Sequence, residues 1–151
     1  MKKTAVAAAI LLACLAVCLA AQENVTDEAA IRAIIDRFGP MWTTSDGVEV
    51  FRSIASENFR FISANAILDR EEFVQLLSNM LKENPPVRHS HAILKIVIAN
   101  AFAVEYGTME LVRKNGQTTR SDSMNIFFRE ASGWRFIGNL PAAEIRKVIA
   151  D

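Results

Sequence analysis

Apolar residues at Ile31, Ile34, Ile35, Phe38, Met41 and Trp42 recur at spacings of three and four, the period of one buried helical face. Thr26-Asp27-Glu28 sets a capping hydroxyl and two carboxylates at the start of that run. Gly39-Pro40 interrupts it, because proline removes a backbone donor and clashes with the preceding turn, so the helix is expected to kink or end near Phe38. A second, shorter helix is expected from Asp46 as N-cap with Glu49 behind it, its inward face made by Val50, Phe51 and Ile54. Asp69 and Glu72 repeat the capping arrangement before Phe73, Leu76, Leu77 and Met80, which predicts a third helix over residues 70–82. Asn84-Pro85-Pro86 stops it.

Phe59 to Ser63 reads as a short strand between the second and third helices. After Pro86 the chain becomes rich in Ile, Val, Phe and Thr, and strands are expected over residues 89–98, 101–113, 117–130 and 134–140. Ala99-Asn100, Asn115-Gly116 and Ser132-Gly133 are the turns between them. Pro141 at a first helical position, Glu144 early and Arg146 and Lys147 late describe a short closing helix. Helices segregated from an antiparallel meander define an α+β domain. Residues 92–99 contain only Lys95 as a charged side chain, and residues 124–128 only Asn125 as a polar one, so the sheet is apolar on both faces. Helices can cover one face, and a homodimer through the sheet is expected to cover the other.

The N-terminus changes where this domain is expected to work. Lys2 and Lys3 precede an apolar run from Ala5 to Ala16, and Cys18-Leu19-Ala20 is a small-x-small exit suited to cleavage after Ala20 or Ala21. The run is too short for a bilayer span, which needs ~20 residues. Cys14 and Cys18 each half-resemble a lipidation site, but Leu12 and Val17 are atypical of that motif. The expectation is therefore a signal peptide over residues 1–21, a leader over 22–25 and one domain over 26–151, exported in soluble form without a membrane span. Cleavage removes both cysteines, and with them any disulfide, thiol nucleophile or zinc knuckle. Losing Lys2 and Lys3 leaves 15 basic against 17 acidic side chains, a balance that does not attract nucleic acid or an anionic membrane.

The run from Ile31 to Phe38, Trp42 with Asp46, and Phe51, Ile54 and Glu57-Asn58-Phe59-Arg60-Phe61 resembles the start of nuclear transport factor 2-like domains. Asn125-Ile126-Phe127-Phe128-Arg129 followed by Gly133-Trp134-Arg135-Phe136 resembles their end. The likeness covers residues 26–140 and is greatest to the SnoaL-like and ketosteroid-isomerase-like branches. It implies a cone-shaped roll: three N-terminal helices against a strongly curved antiparallel sheet enclosing a cavity, with the convex side of the sheet making a dimer. Phe38, Trp42, Phe61, Ser63, Tyr106, Ser123, Asn125 and Phe127 are the residues then expected to line that cavity.

The ketosteroid-isomerase set of tyrosine, base and protonated acid falls, on the same resemblance, at Phe38, near Ser63 and at Asn125, so all three groups are missing. A shift of strand register would bring Asp122 or Glu105 toward the cavity as a relocated acid or base. Glu105 and Tyr106 lie on opposite faces of one strand, so at most one points inward. A buried amide at Asn125 needs a partner, for which a ligand oxygen, a water or Tyr106 are the candidates. His89 and His91 share a strand face and could converge on a metal, with Asp122 or Glu105 as the carboxylates to inspect, but no third ligand is identifiable. The plain alternative leaves both rings partly solvated beside Pro85-Pro86. Asp27, Asp46, Asp69 and Glu72 read as helix caps, and Arg113, Lys114 and Arg120 as a solvated hairpin tip. No glycine-rich phosphate loop, dinucleotide fingerprint or nucleophile elbow occurs, and no cofactor or metal is expected.

Three functions follow. The first is an exported module binding a small apolar or amphipathic molecule, with Ser63, Tyr106 and Asn125 as polar contacts. The second is an acid-base enzyme of the isomerase, dehydratase or cyclase type. The third is an interaction subunit with a filled cavity.

Overall fold

The computed structural model describes residues 25–63 and 66–141. The expected signal peptide and most of the closing helix lie outside them. Helix α1 covers residues 25–35 and buries Ile31 and Ile35. The chain turns at Asp36 and Arg37, just before Phe38, and α2 runs Phe38–Thr43. Pro40 stands in the first turn of α2, where its missing N–H would have had no intrahelical partner. The break therefore falls ahead of the Gly39-Pro40 step. Helix α3, Gly47–Ile54, turns Val50, Phe51 and Ile54 inward, but the Asp46 side chain makes no cap bond, so the expected capping there is absent. Asp27 is not a cap either: its carboxylate binds Arg129 and accepts from the Trp134 indole at 2.9 Å, tying α1 to the sheet.

Strand β1, Ala55–Ile62, begins directly after α3 and is longer than expected. A short β2, Ile67–Asp69, had no signal of its own and pairs antiparallel with β1. Helix α4, Arg70–Glu83, carries the complete capping box: Asp69 accepts from the amides of Glu71 and Glu72, and Glu72 accepts from the Asp69 amide. Strands β3, Pro86–Ala99, β4, Phe102–Arg113, β5, Thr118–Glu130, and β6, Gly133–Pro141, form the expected antiparallel meander. Pro141 ends β6 opposite Ser123 rather than opening a helix. Asn100 takes φ of 56° at the first turn, and Gly116 takes φ of 82° at the second.

The sheet order is β2-β1-β6-β5-β4-β3, and β1 pairs with β6 in parallel, so the sheet is mixed rather than antiparallel throughout. Bulges at Ile93/Lys95 and Ile126/Phe127 bend it around the helices. The inner face supplies Phe59, Ala103, Phe127 and Phe136 to a core completed by Ile31, Phe38, Phe51, Phe73 and Leu77. Its rings interlock: Phe59 lies 4.8 Å from Phe51, 5.2 Å from Phe73 and 5.0 Å from Phe136 between centroids. The outer face carries exposed Val97 and Phe102, with the Phe102 ring tilted against Phe128 at 4.8 Å between centroids. Among the described residues no helix is long and apolar enough to cross a membrane.

Candidate functional site

Between α2 and the concave face of the sheet lies a cavity of about 260 Å³. Helix α2 presents Phe38, Met41 and Trp42 because these occupy one face of its turns, and α4 adds Phe73. Phe59 and Phe61 alternate on β1, and Phe136 and Asn139 face inward from β6. Strand β5 brings Ser121, Asp122, Ser123 and Asn125 to the wall, and His91 and Met109 come from β3 and β4. The wall is thus aromatic at the helix side and polar along β5. Ser63 stands on the rim, where its hydroxyl bonds with the N–H and carbonyl of Ala66.

Of the residues expected to line a cavity, Phe38, Trp42, Phe61, Ser63, Ser123 and Asn125 are brought together here. Tyr106 and Phe127 are not among them. Tyr106 lies opposite Lys95 and Met124 on the outer face, one residue out of phase with Glu105. Phe127 is fully buried behind the wall, packed against Phe136 at 5.7 Å.

Glu105, which strand parity allowed to point inward, does so and has no exposed surface. Its Oε2 accepts from Asn125 Nδ2 at 2.7 Å, and its Oε1 lies 3.0 Å from His91 Nε2. The partner of the Asn125 amide is therefore Glu105, not Tyr106, and replacing Asn125 would orphan a buried carboxylate besides altering the wall. Register explains how Glu105 reaches His91. Glu105 pairs with Ile96, Gly107 with Ile93 and Met109 with His91, so the carboxylate must pass over Gly107. A Cβ at Gly107 would sit well inside contact distance of Glu105 Oε1 and 2.8 Å from His91 Nε2.

His91 is turned inward, whereas His89, nearer the Pro85-Pro86 turn, is half-buried. The His91 side chain is 5% exposed and meets Phe38 edge-on at 5.8 Å. His89 stacks on it at 6.1 Å, and burial, reinforced by the neighbouring His91, lowers the His89 pKa to about 4. Among the described residues no group of three or more His, Cys, Asp or Glu side chains is placed to hold a metal. His91 Nδ1, Ser123 Oγ and Asn139 Oδ1, all from wall residues, are buried without a protein hydrogen-bond partner.

No protein-family model matches the chain, and no curated protein does. Solved structures do. A conserved protein of Planctomyces limnophilus is 20% identical, with a TM-score of 0.65 over 77% of this chain and 98% of its own. An NTF2-like protein with a cystatin-like fold from Novosphingobium aromaticivorans is 17% identical, with a TM-score of 0.64 over 80% and 83%. A domain of unknown function with a cystatin-like fold from Nostoc punctiforme is 18% identical, with a TM-score of 0.63 over 83% and 93%. The chain has the NTF2-like, cystatin-like fold, a curved sheet closed over by helices.

Proposed function

We propose that this chain binds a compact, mainly apolar molecule with one polar tip. The observation that carries the reading is the cavity itself. Six aromatic side chains, Phe38, Trp42, Phe59, Phe61, Phe73 and Phe136, give way on one side to Ser123, Asn139 and His91, each with a buried polar atom that lacks a protein partner. Such an atom costs about 1–3 kcal/mol when nothing pairs with it, so a guest carrying one hydroxyl or carbonyl is favoured over a hydrocarbon. At about 260 Å³ the cavity lies just below the roughly 300–1,000 Å³ of ordinary ligand pockets, which suits a one-ring guest.

Calorimetric titration with 4-methylphenol and with toluene tests this, since the two differ by the hydroxyl. Binding of 4-methylphenol about tenfold tighter than toluene is expected, the value of one hydrogen bond. Ser123→Ala should narrow that preference. Heat from neither compound at millimolar concentration would remove the proposal.

Two further parts of the reading concern setting. The charged start, apolar run and small-residue exit of residues 1–21 support export, and an intact mass from envelope or culture fluid beginning at Ala21 or Gln22 is expected. Exposed Val97 and Phe102 on the outer face support a homodimer through the sheet, and a monomer mass in light scattering at micromolar concentration counts against it.

A further inference from the structure

The pair formed by His91 and Glu105 is not needed to hold a passive guest. We infer that His91, backed by Glu105, takes the proton of a weakly acidic hydroxyl on the guest, so that the cavity holds a phenol or enol as its oxyanion. This rests on the binding reading above and adds a charge state and a chemical class to it.

A carboxylate with no exposed surface is held by its hydrogen bonds, and it stabilises a proton arriving on a base beside it. Asn125 supplies a neutral donor, and among the described residues no lysine or arginine bridges to Glu105, which leaves His91 as its ionisable partner. Because a carboxylate only accepts, the proton of neutral His91 sits on Nε2, facing Glu105 Oε1 at 3.0 Å. The lone pair is then on Nδ1, the nitrogen without a protein partner. When a hydroxyl comes within reach, its O–H bond breaks, an N–H bond forms at Nδ1 and the electron pair stays on the guest oxygen. The imidazolium then lies between two negative groups, Glu105 and the oxyanion. No oxidant or reductant takes part. Ser123, whose Oγ also lacks a protein partner, is a donor for that oxyanion.

The other charged groups do not undo this order. On its own strand His91 stacks on His89, which burial keeps neutral near pH 7 and which therefore adds no competing positive charge. Asp122 on β5 is the remaining titratable group among the described wall residues, while α2, α4, β1 and β6 contribute apolar, hydroxyl or amide side chains. Glu105 acts through His91 and is a positioning residue.

The probe is 4-nitrophenol, whose ionised form has a separate visible absorption band. Calorimetry reads binding and absorbance reads ionisation, at a pH about one unit below the probe's own midpoint. Wild type should bind the probe as the phenolate, its midpoint lowered by at least about one unit. Glu105→Gln should bind within about tenfold of wild type yet leave the probe neutral. The paired change His91→Phe with Glu105→Gln removes the base and the carboxylate together, so it keeps a closed cavity in which the band is also lost. Binding by wild type with the probe in its neutral band overturns the inference and leaves the binding reading standing. A phenolate band that survives in the paired variant overturns it equally, and the absence of any binding heat removes both.

Discussion

Substituting Gly107 by alanine should be far more costly than one methyl group suggests. The added Cβ would press into Glu105 Oε1 and lie 2.8 Å from both the Ala92 carbonyl oxygen and His91 Nε2. The Ala92 carbonyl is backbone, in the strand paired with Gly107, and cannot swing aside. The carboxylate could move only by giving up its bonds to His91 and Asn125. Overpacking costs about 1–3 kcal/mol, and a hydrogen bond to a charged group contributes about 1.5–3 kcal/mol, so a loss of about 3 kcal/mol is expected. Gly116→Ala is the control. Gly116 has nothing within 4 Å of a built Cβ but a φ of 82°, so its penalty is conformational alone, about 1 kcal/mol. In urea unfolding, with a slope of roughly 1–3 kcal/mol per molar, Gly107→Ala should lower the midpoint by about 1–3 M at unchanged slope, and Gly116→Ala by about a third of that. If Gly107→Ala unfolds no more easily than Gly116→Ala, the crowding argument for the His91, Glu105 and Gly107 cluster is wrong.

Two other outcomes are expected. His89 binds its proton at about 4 in the folded chain against 6.5 in the unfolded one, so its contribution is present above pH 6.5 and is lost as pH falls toward 4. Allowing for solvent screening of a half-buried ring, it is on the order of 1–2 kcal/mol, and His89→Gln should flatten the stability profile over that window; an unchanged slope refutes the assignment. Asp27→Ala should cost about 2 kcal/mol in thermal or urea unfolding by releasing both Arg129 and the Trp134 indole, and Asp27→Asn should recover part of it through the indole; equal losses would show that the indole bond is worth nothing.

How much was legible depended on how local each cause was. The Asp69 and Glu72 capping box and the Asn115-Gly116 turn are written within four residues, and both stand as read. The long strands β3 to β6 were legible from composition and turn residues. Strand β2 is only three residues long and too short for alternation to show, and the parallel pairing of β1 with β6 has no local sign at all. Asp46 and Asp27 sat at plausible cap positions, but one makes no cap bond and the other is drawn to Arg129 and Trp134, more than a hundred residues away. At the site, the resemblance to nuclear transport factor 2-like domains pointed to Phe38, Trp42 and Phe61, while Phe59, Phe73 and Phe136 read only as apolar positions of a strand or helix. The Glu105, His91 and Asn125 cluster was not legible, because it needs the register of three strands and a side chain crossing a glycine. One signal was available: Glu105 stands between Ala103 and Gly107 on its face, small neighbours that leave room for a carboxylate to lie flat against the sheet.

The parallel seam between β1 and β6 joins residues about eighty positions apart, Ala55 to Phe136 and Phe61 to Asn139. Hairpins β3 to β6 can zip up in sequence, each closing a short loop, whereas β1 must wait for the final strand. Without that seam Phe59 has no Phe136 to pack on, and the wall between helix and sheet is incomplete. The seam is thus a non-local pairing that no short loop closes, and the cavity straddles it. A guest held there bridges the early and late halves of the chain, and its binding energy resists opening of that seam before it resists anything else.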